Sequence, residues 1–535
     1  MLVAALAIRR PSFGEAVFLA AESLVRRLAR RLWRAAAVLA GLVLVPRVIL
    51  LPLWPIPKAA IYDEFCYIVQ GDTFAHGRLA NSPHLISRFF ESPYLLQHPT
   101  YASKYPPAQG LALAAGQVIF GDPWFGAWFS CGLMMAALVW SISAWLPSRW
   151  AFLGGVLALP LAIESYWMNS YWGGAVAATG GALLLGGAGR LIRTRSAKAW
   201  PQIRNGLAMA AGIAILANSR PYEGLVFAVP IAIALLLSRP GRIAVTAIVA
   251  LLIPAGAATA YYNYRVTGSA LVMPFVEYAR QYVYIPLFTF QPLNPNKACR
   301  TPVMDDLHQN WERKQWETAR SLKFFPTRLD DFRKVCGTLL GSVALAVPIL
   351  AFLPALFRDR RIRLPLICVM AVLAGSAIEV CYYTHYAAPA TAAIFILLVQ
   401  AFRHLRLRNA AGRFLSRAVP LVILATVTVS QAIVLVREEA PENSQPRNAR
   451  REQVASILDD RPGRHVILVR YTGSQSPHEQ WVYNSADIDS QDVIWAHDLG
   501  ATDNAAILAY YKDRQFWSFQ PDSNSIRLKP YTPGN

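Results

Sequence analysis

Long apolar runs separated by short arginine-rich segments constrain this chain more than any other feature. The runs lie near residues 35–57, 123–145, 151–166, 172–189, 204–219, 222–238, 241–262, 336–357, 363–382, 385–402 and 418–437. Only 16% of the residues are charged, whereas soluble proteins carry about 25%. Since a helix needs about 20 apolar residues to cross a membrane, we expect a polytopic α-helical membrane protein with about eleven transmembrane helices.

The basic residues set the predicted orientation. The formal net charge is +20, and basic clusters lie between apolar runs at 189–198, 239–242, 358–363 and 403–417. Because positive loops stay in the cytoplasm, this distribution indicates a multi-pass protein of the cytoplasmic (inner) membrane and argues against a nucleic-acid ligand. The N-terminus is then cytoplasmic. The run 106–121 is predicted as an interfacial or re-entrant helix on the outer face, not as a span.

Three domains follow from this orientation. Residues 1–34, with seven arginines, are predicted to form a cytoplasmic amphipathic basic helix. Residues 35–437 form a transmembrane domain with outer loops at 58–121 and 263–335. Residues 438–535 contain 14 acidic and 10 basic residues, a net charge of −4. Predicted strands at 465–471, 492–498 and 515–519 and a predicted helix at 501–514 indicate a small α/β domain that is periplasmic or extracellular.

Polar and aromatic residues concentrate where the apolar runs end on the predicted outer face. Asp63 and Glu64 follow the first run and are the candidate catalytic carboxylates. The candidate substrate-binding residues are Tyr105, Glu164, Tyr166, Trp167, Asn169, Tyr171, Trp172, Tyr222, Glu223 and Asn263. Rings stack on sugar faces while amides and carboxylates bind hydroxyls, so the pattern favours a carbohydrate site. For any single ring the alternative is an interface belt.

Three further residues are candidate ligands for a lipid phosphate, namely Lys104, Arg220 and His385. Lys104 lies in "HPTYASKYPPAQG" (98–110), just before the predicted interfacial helix. A lysine binds phosphate as a point charge. Its alternative role is to extend its ammonium group from the interface into water.

Metal and disulfide chemistry are weakly indicated. His76, His84 and His98 share the first outer loop with several carboxylates, but their spacing is not that of a metal site. We assign no metal ligands and no cofactor, and a divalent metal stays an open alternative. Cys66 and Cys299 lie in the two outer loops, and whether they pair stays open as well.

The sequence resembles the polytopic GT-C glycosyltransferases, especially the branch that contains protein O-mannosyltransferases and the lipid A aminoarabinose transferase. The matching features are the pair Asp63–Glu64 after the first run, the Lys104-x-Pro106-Pro107 element, and a polar aromatic loop after the third run. That loop offers Glu164 and Asn169 where relatives often have Asp. The acceptor is therefore left open.

The resemblance implies an enzyme that transfers a sugar from a polyprenyl-phosphate donor in the membrane. The acceptor would be a hydroxyl of a cell-envelope glycan, lipid or protein on the outer face. Asp63, with Glu64 beside it, would be the base or would orient the acceptor, and Lys104 would contact the donor phosphate. A single carboxylate in line behind the anomeric carbon would give inversion. The rival functions are a lipid-linked glycan transporter (flippase) and a polysaccharide ligase or polymerase of similar architecture.

Overall fold

The protein is a bundle of helices that carries a small β-sheet near its C-terminus. The computed structural model describes residues 7, 9–10, 12–194, 198–294, 301–437, 449–471, 480–521 and 528–532. The helices of the first half are α1 (Glu15–Ala29), α2 (Leu32–Ile49), α3 (Tyr62–Ala75), α4 (Pro107–Phe120), α5 (Trp124–Ile142), α6 (Ser148–Leu157), α7 (Leu159–Ile163), α8 (Gly174–Thr194), α9 (Ala199–Ala217), α10 (Pro221–Ser238), α11 (Arg242–Thr267) and α12 (Pro274–Gln281). The helices of the second half are α13 (Pro302–Asp305), α14 (Glu312–Ala319), α15 (Phe324–Leu340), α16 (Ala346–Ala351), α17 (Leu353–Arg358), α18 (Arg363–Ala377), α19 (Thr391–Arg408), α20 (Ala410–Arg437), α21 (Ala449–Ser456) and α22 (Ala501–Tyr510).

The expected polytopic membrane architecture is confirmed. Seven of the described helices are long and apolar enough to cross a membrane, or eight if the bent pair Phe324–Leu340 and Val343–Ala351 is one span. Two apolar helices, α4 and α18, are shorter than a straight span requires. The number of eleven crossings stays a prediction, because it includes segments of this shorter kind. The helix predicted near the N-terminus forms α1, where Glu22 pairs with Arg406 and Arg417.

Close packing at two glycines brings together segments that lie around the candidate site. A β-carbon on Gly181 of α8 would overlap the carbonyl oxygen of Pro389, which lies in the 3₁₀ turn Thr384–Ala390. A β-carbon on Gly126 of α5 would overlap the carbonyl oxygen of Ala112 in α4. Small residues let membrane helices approach to this distance. The turn that carries His385 therefore lies directly against α8.

Arg47, in the first span, is completely buried and its contacts are structural. Its guanidinium donates to the carbonyl oxygens of Trp54 at 2.6 Å and Pro55 at 3.0 Å. The same group lies 4.5 Å from the ring centroid of Trp54 and 4.7 Å from that of Trp124. Its Nε also donates to Asn169 Oδ1 at 3.4 Å. The charge thus holds the end of α2 against the loop after α7, as expected for an intramembrane arginine that faces the bundle interior.

The C-terminal region contains the predicted strands. Strands β3 (Arg464–Val469), β4 (Val493–His497), β5 (Arg514–Phe519) and β6 (Leu528–Pro530) form a sheet in the order β4-β3-β5-β6. Strand β3 is parallel to β4 and β5, whereas β6 is antiparallel to β5. Helix α22 connects β4 to β5, as a parallel pair requires a crossover. The region is therefore a small α/β sheet structure, as the sequence predicts.

This sheet packs on the first outer loop. Tyr483 donates from its hydroxyl to the carbonyl oxygen of Pro93 at 3.0 Å, and its ring stacks on Phe65 with centroids 4.3 Å apart. His497 Nε2 donates to the carbonyl oxygen of Glu91 at 2.6 Å. The loop also contains a short hairpin of β1 (Leu95–Leu96) and β2 (Ala102–Ser103). Phe65 belongs to α3, so the sheet supports the helix that carries Asp63 and Glu64.

Candidate active site

Glu64 caps the helix that carries both candidate carboxylates. Its Oε2 accepts from the backbone N–H groups of Ala60 at 2.8 Å and Ile61 at 3.3 Å, and its Oε1 accepts from that of Tyr171 at 3.4 Å. These bonds satisfy backbone donors that a helix N-terminus leaves free. Burial raises the pKa of Glu64 to about 7. Glu64 thus binds these backbone amides and stabilises the local fold, and its neighbour Asp63 does not share these contacts.

Asp63 lies in the first turn of α3 and is only partly buried. Its Oδ1 accepts a hydrogen bond from the Tyr105 hydroxyl. Burial raises the pKa of Asp63 above its usual value, although the positive charges of Lys104 and Arg220 and the Tyr105 hydrogen bond oppose that rise. Asp63 is therefore a carboxylate under the influence of two positive charges, at the position where the sequence predicts a catalytic carboxylate.

Lys104 lies in a cage of aromatic rings and is 6% exposed. Its Nζ is 3.0 Å from the ring centroid of Tyr94 and between 5.2 and 5.4 Å from those of Tyr105, Tyr278 and Phe275. Ring faces attract a desolvated cation. Burial lowers the pKa of Lys104 to about 8, while the charges of Asp63 and Glu312 act in the opposite direction. Within the described parts of the chain, no carboxylate forms a direct ion pair with Lys104.

A buried histidine and glutamate support this cage from behind. His308 Nδ1 donates to Glu312 Oε2 at 2.8 Å, and the Tyr278 hydroxyl lies 3.0 Å from His308 Nε2. The Tyr94 hydroxyl donates to Glu312 Oε1 at 3.3 Å. The two cage tyrosines are therefore held by one dyad. Sequence analysis missed this dyad, although the i, i+4 spacing of His308 and Glu312 in the second outer loop is a detectable signal.

The remaining phosphate candidates lie on the same side as Asp63. Arg220, just before α10, has Nη1 3.8 Å from Glu223 Oε1 and its guanidinium 4.7 Å from the centroid of Tyr386. The positive charge of Arg220 also favours ionised Asp63.

His385 adds an aromatic wall beside this arginine. The Tyr166 hydroxyl lies 3.0 Å from His385 Nδ1, and the ring centroid of Trp172 is 4.8 Å from that of His385. The buried Trp172 Nε1 has no acceptor among the described residues. A ring wall with a spare N–H donor suits a sugar, whose faces are apolar and whose hydroxyls need partners.

Six other candidate substrate-binding residues make internal contacts. Trp167 is buried in the helical core and Asn169 binds Arg47. Glu164 accepts a hydrogen bond from the Ser430 hydroxyl. Tyr171 donates to the carbonyl oxygen of Pro57, Tyr222 to that of Gly375, and Asn263 to that of Ala270. These contacts join helix ends to neighbouring segments. The part of these six residues in substrate binding stays a prediction.

The histidines of the first outer loop are dispersed. His76 lies beside Asp72, His84 pairs with Asp489 of the C-terminal region, and His98 contacts Ser87. In the described ranges, no group of three His, Cys, Asp or Glu side chains is arranged to hold a metal ion. Cys66 donates to the carbonyl oxygen of Pro93, and its suggested partner Cys299 lies outside the described residues.

Comparison with solved structures finds a similar fold in a known membrane protein. The chain is similar to ArnT from Cupriavidus metallidurans in the apo state, with a TM-score of 0.51 and 14% sequence identity over 90% of this chain and 93% of that one. The structure of that ArnT bound to undecaprenyl phosphate matches with a TM-score of 0.49 and 13% identity over 89% and 92%. No family model and no curated protein sequence matches. The chain thus shares the fold of that ArnT, which confirms the predicted resemblance in architecture.

Proposed function

We propose that this protein is a membrane glycosyltransferase that moves a sugar from a polyprenyl-phosphate donor to an acceptor hydroxyl at the outer membrane face. The observation that carries the proposal is the position of Tyr105, whose hydroxyl donates to Asp63 and whose ring centroid lies 5.2 Å from Lys104 Nζ. The charges of Lys104 and Arg220 both favour ionised Asp63. The ArnT-like fold supports the same class of reaction. A lipid donor suits the site, because it lies beside membrane-spanning helices.

The donor phosphate is assigned to the two cations. As the bond between the anomeric carbon and the phosphate oxygen breaks, its electron pair leaves with the polyprenyl phosphate. Lys104 and Arg220 stabilise that growing negative charge, which is worth most in a site shielded from water. The aromatic cage and the dyad of His308 and Glu312 hold the Lys104 ammonium in place.

The acceptor is activated by Asp63. Its carboxylate takes the proton of the acceptor hydroxyl while that oxygen forms its bond to the anomeric carbon. One carboxylate acting on the face opposite the leaving phosphate gives an inverted product. The rings of Tyr166, Trp172 and His385 supply the surface against which the sugar stacks.

The test is transfer of radiolabelled sugar from polyprenyl phosphate in membranes that contain Asp63→Asn. We expect transfer to fall by about 10²–10⁴-fold, the usual contribution of a general base. Asp305→Asn is the matched control, because Asp305 is an exposed acid of the second outer loop. Label is followed into lipid, glycan and protein fractions. Near-normal transfer by Asp63→Asn contradicts the assignment, and movement of intact glycolipid without transfer favours a transporter.

A further inference from the structure

A cavity of about 790 Å³ lies at the end of the bundle opposite Asp63. It is enclosed by the ends of α5 and α8, the start of α9 and the turn between α10 and α11. Asn218, after the far end of α9, accepts from the backbone N–H of Ala108 in the first outer loop. Since α9 has 19 residues, about 28 Å of helix separates the cavity from the candidate active site.

Among the described residues, this cavity is lined by four arginines and by no acidic residue. The arginines are Arg190, Arg193, Arg204 and Arg239. Arg190 donates to the carbonyl oxygen of Trp140 and to Ser143 Oγ, both at 2.7 Å, and Arg193 donates to the carbonyl oxygen of Trp145 at 2.9 Å. Arg204 and Arg239 are exposed, and within the described segments neither pairs with a carboxylate. The cavity thus has two arginines fixed by the fold and two that are free to reach a ligand.

This arrangement favours an anion. The positive charge of Arg204 acts unfavourably on that of Arg190, and no lining carboxylate offsets the repulsion. The buried Asn205 amide also lines the cavity, and its oxygen has no partner among the described residues. A side-chain amide can turn over and present its NH₂ group instead. Guanidinium groups bind the oxygens of a phosphate with paired N–H donors.

Apolar side chains beside the cavity identify the source of that phosphate. Trp200 precedes the lining residue Pro201, and Leu236 and Leu237 precede the lining residue Ser238. All three are more than two-thirds exposed, at 68%, 73% and 80%. A free phosphate would leave these surfaces uncovered, whereas acyl chains would cover them. We propose that the cavity binds the phosphate headgroup of an anionic glycerophospholipid, on the side that the charge pattern predicts to be cytoplasmic.

The test is lipid-dependent thermal stability of the full chain in a neutral detergent. Phosphatidylglycerol is titrated against wild-type protein and against Arg204→Gln/Arg239→Gln, with phosphatidylcholine and inorganic phosphate as the other ligands. We expect stabilisation by phosphatidylglycerol alone, and an apparent Kd about tenfold or more weaker in the double variant, given the contribution of each basic residue near a lipid headgroup. Because no donor or transfer is needed, the result is independent of the proposed reaction.

Two variants make the outcome interpretable. Arg149→Gln/Arg408→Gln removes two exposed arginines at the same end outside the cavity, and should retain wild-type affinity. Arg204→Lys/Arg239→Lys keeps the charge and should recover most of the affinity even if the glutamine variant is unstable. Equal affinity for phosphatidylcholine, equal losses in both glutamine variants, or equal stabilisation by inorganic phosphate would overturn the proposal.

Discussion

The two ends of the bundle hold positive charge in different ways. Near Asp63, a lysine is held by four aromatic rings, and the charges of Asp63 and Glu312 favour its protonated form. At the opposite end, four arginines line a cavity with no acidic residue. Both ends can attract phosphate. Among the described residues, only the first of these two sites also has a carboxylate that can accept a proton, so only that site can combine anion binding with chemistry.

The difference also concerns how each cation is desolvated. The aromatic rings exclude water from Lys104 and attract its charge only weakly. The pKa of this lysine therefore depends on the charges of neighbouring groups. Arginines keep their charge in nearly any protein environment. A titratable cation therefore lies beside Arg220 where a reaction is proposed, whereas the described cations that line the cavity, where binding alone is proposed, are all arginines.

Replacing Lys104 by methionine should have the largest effect on this comparison. Methionine fits the aromatic cage but cannot stabilise a leaving phosphate, so we expect kcat to fall by about 10²–10³-fold. Steady-state transfer assays measure it, with the exposed Lys314→Met as the matched control. Phosphatidylglycerol affinity at the far end should not change. Full activity in Lys104→Met would remove Lys104 from the proposed mechanism.

The pH profile of transfer should have an alkaline limb that Glu312 controls. Lys104 is charged below its pKa of about 8, so transfer should fall as the pH rises through that value. The negative charge of Glu312 raises this pKa, and so Glu312→Gln should move the limb to lower pH, by up to about one unit. The groups that act on Lys104 are Asp63, Glu312, Cys66 and Cys381, together with the cage tyrosines.

The acid limb provides the internal control for this measurement. Asp63 must be ionised to act as a base, so transfer should also fall as the pH drops through its raised pKa. Glu312→Gln should leave that limb nearly in place. A uniform loss of activity at every pH, with no movement of the alkaline limb, would mean that Glu312 only maintains the fold.

Trp172→Phe should have the smallest effect. The ring is kept while the unpartnered N–H is removed, so we expect KM to rise about fivefold, the value of one hydrogen bond, with kcat nearly unchanged. Trp316→Phe is a control, because its indole lies in the second outer loop and donates to the carbonyl oxygen of Gln291. An unchanged KM in Trp172→Phe would place the sugar elsewhere.

Much of the architecture and part of the site are readable from the sequence. Apolar runs and basic clusters predict the bundle because the bilayer permits few alternatives. The same alternation brings Asp63, Lys104, Arg220 and His385 to one end, since chain reversals place every second loop on the same side. Strand and helix patterns in 465–519 are strong enough to predict β3, β4, α22 and β5.

The rest of the candidate site depends on the direction in which each side chain points. The hydrophobic period and the residue spacing in the sequence do not give that direction. Asp63 and Glu64 are neighbours, yet Glu64 binds backbone amides while Asp63 meets Tyr105. Trp167 and Asn169 are candidate site residues beside Trp172, and the structure shows that the first packs in the core and the second binds Arg47. Their part in substrate binding stays a prediction. The dyad of His308 and Glu312 was missed because its target tyrosine, Tyr94, is 218 residues from Glu312 in the chain.

The support of the first outer loop by the C-terminal sheet has a consequence for biosynthesis. Tyr483 and His497 contact a loop that emerges from the ribosome 390 to 406 residues earlier. While the membrane spans insert one after another, the C-terminal sheet has not yet been synthesised. The first outer loop therefore lacks the surface against which it packs in the folded protein. A nonsense mutation before residue 480 should therefore leave an inserted bundle whose first outer loop lacks its packing partner, and synthesis of the C-terminal sheet becomes the last step of folding.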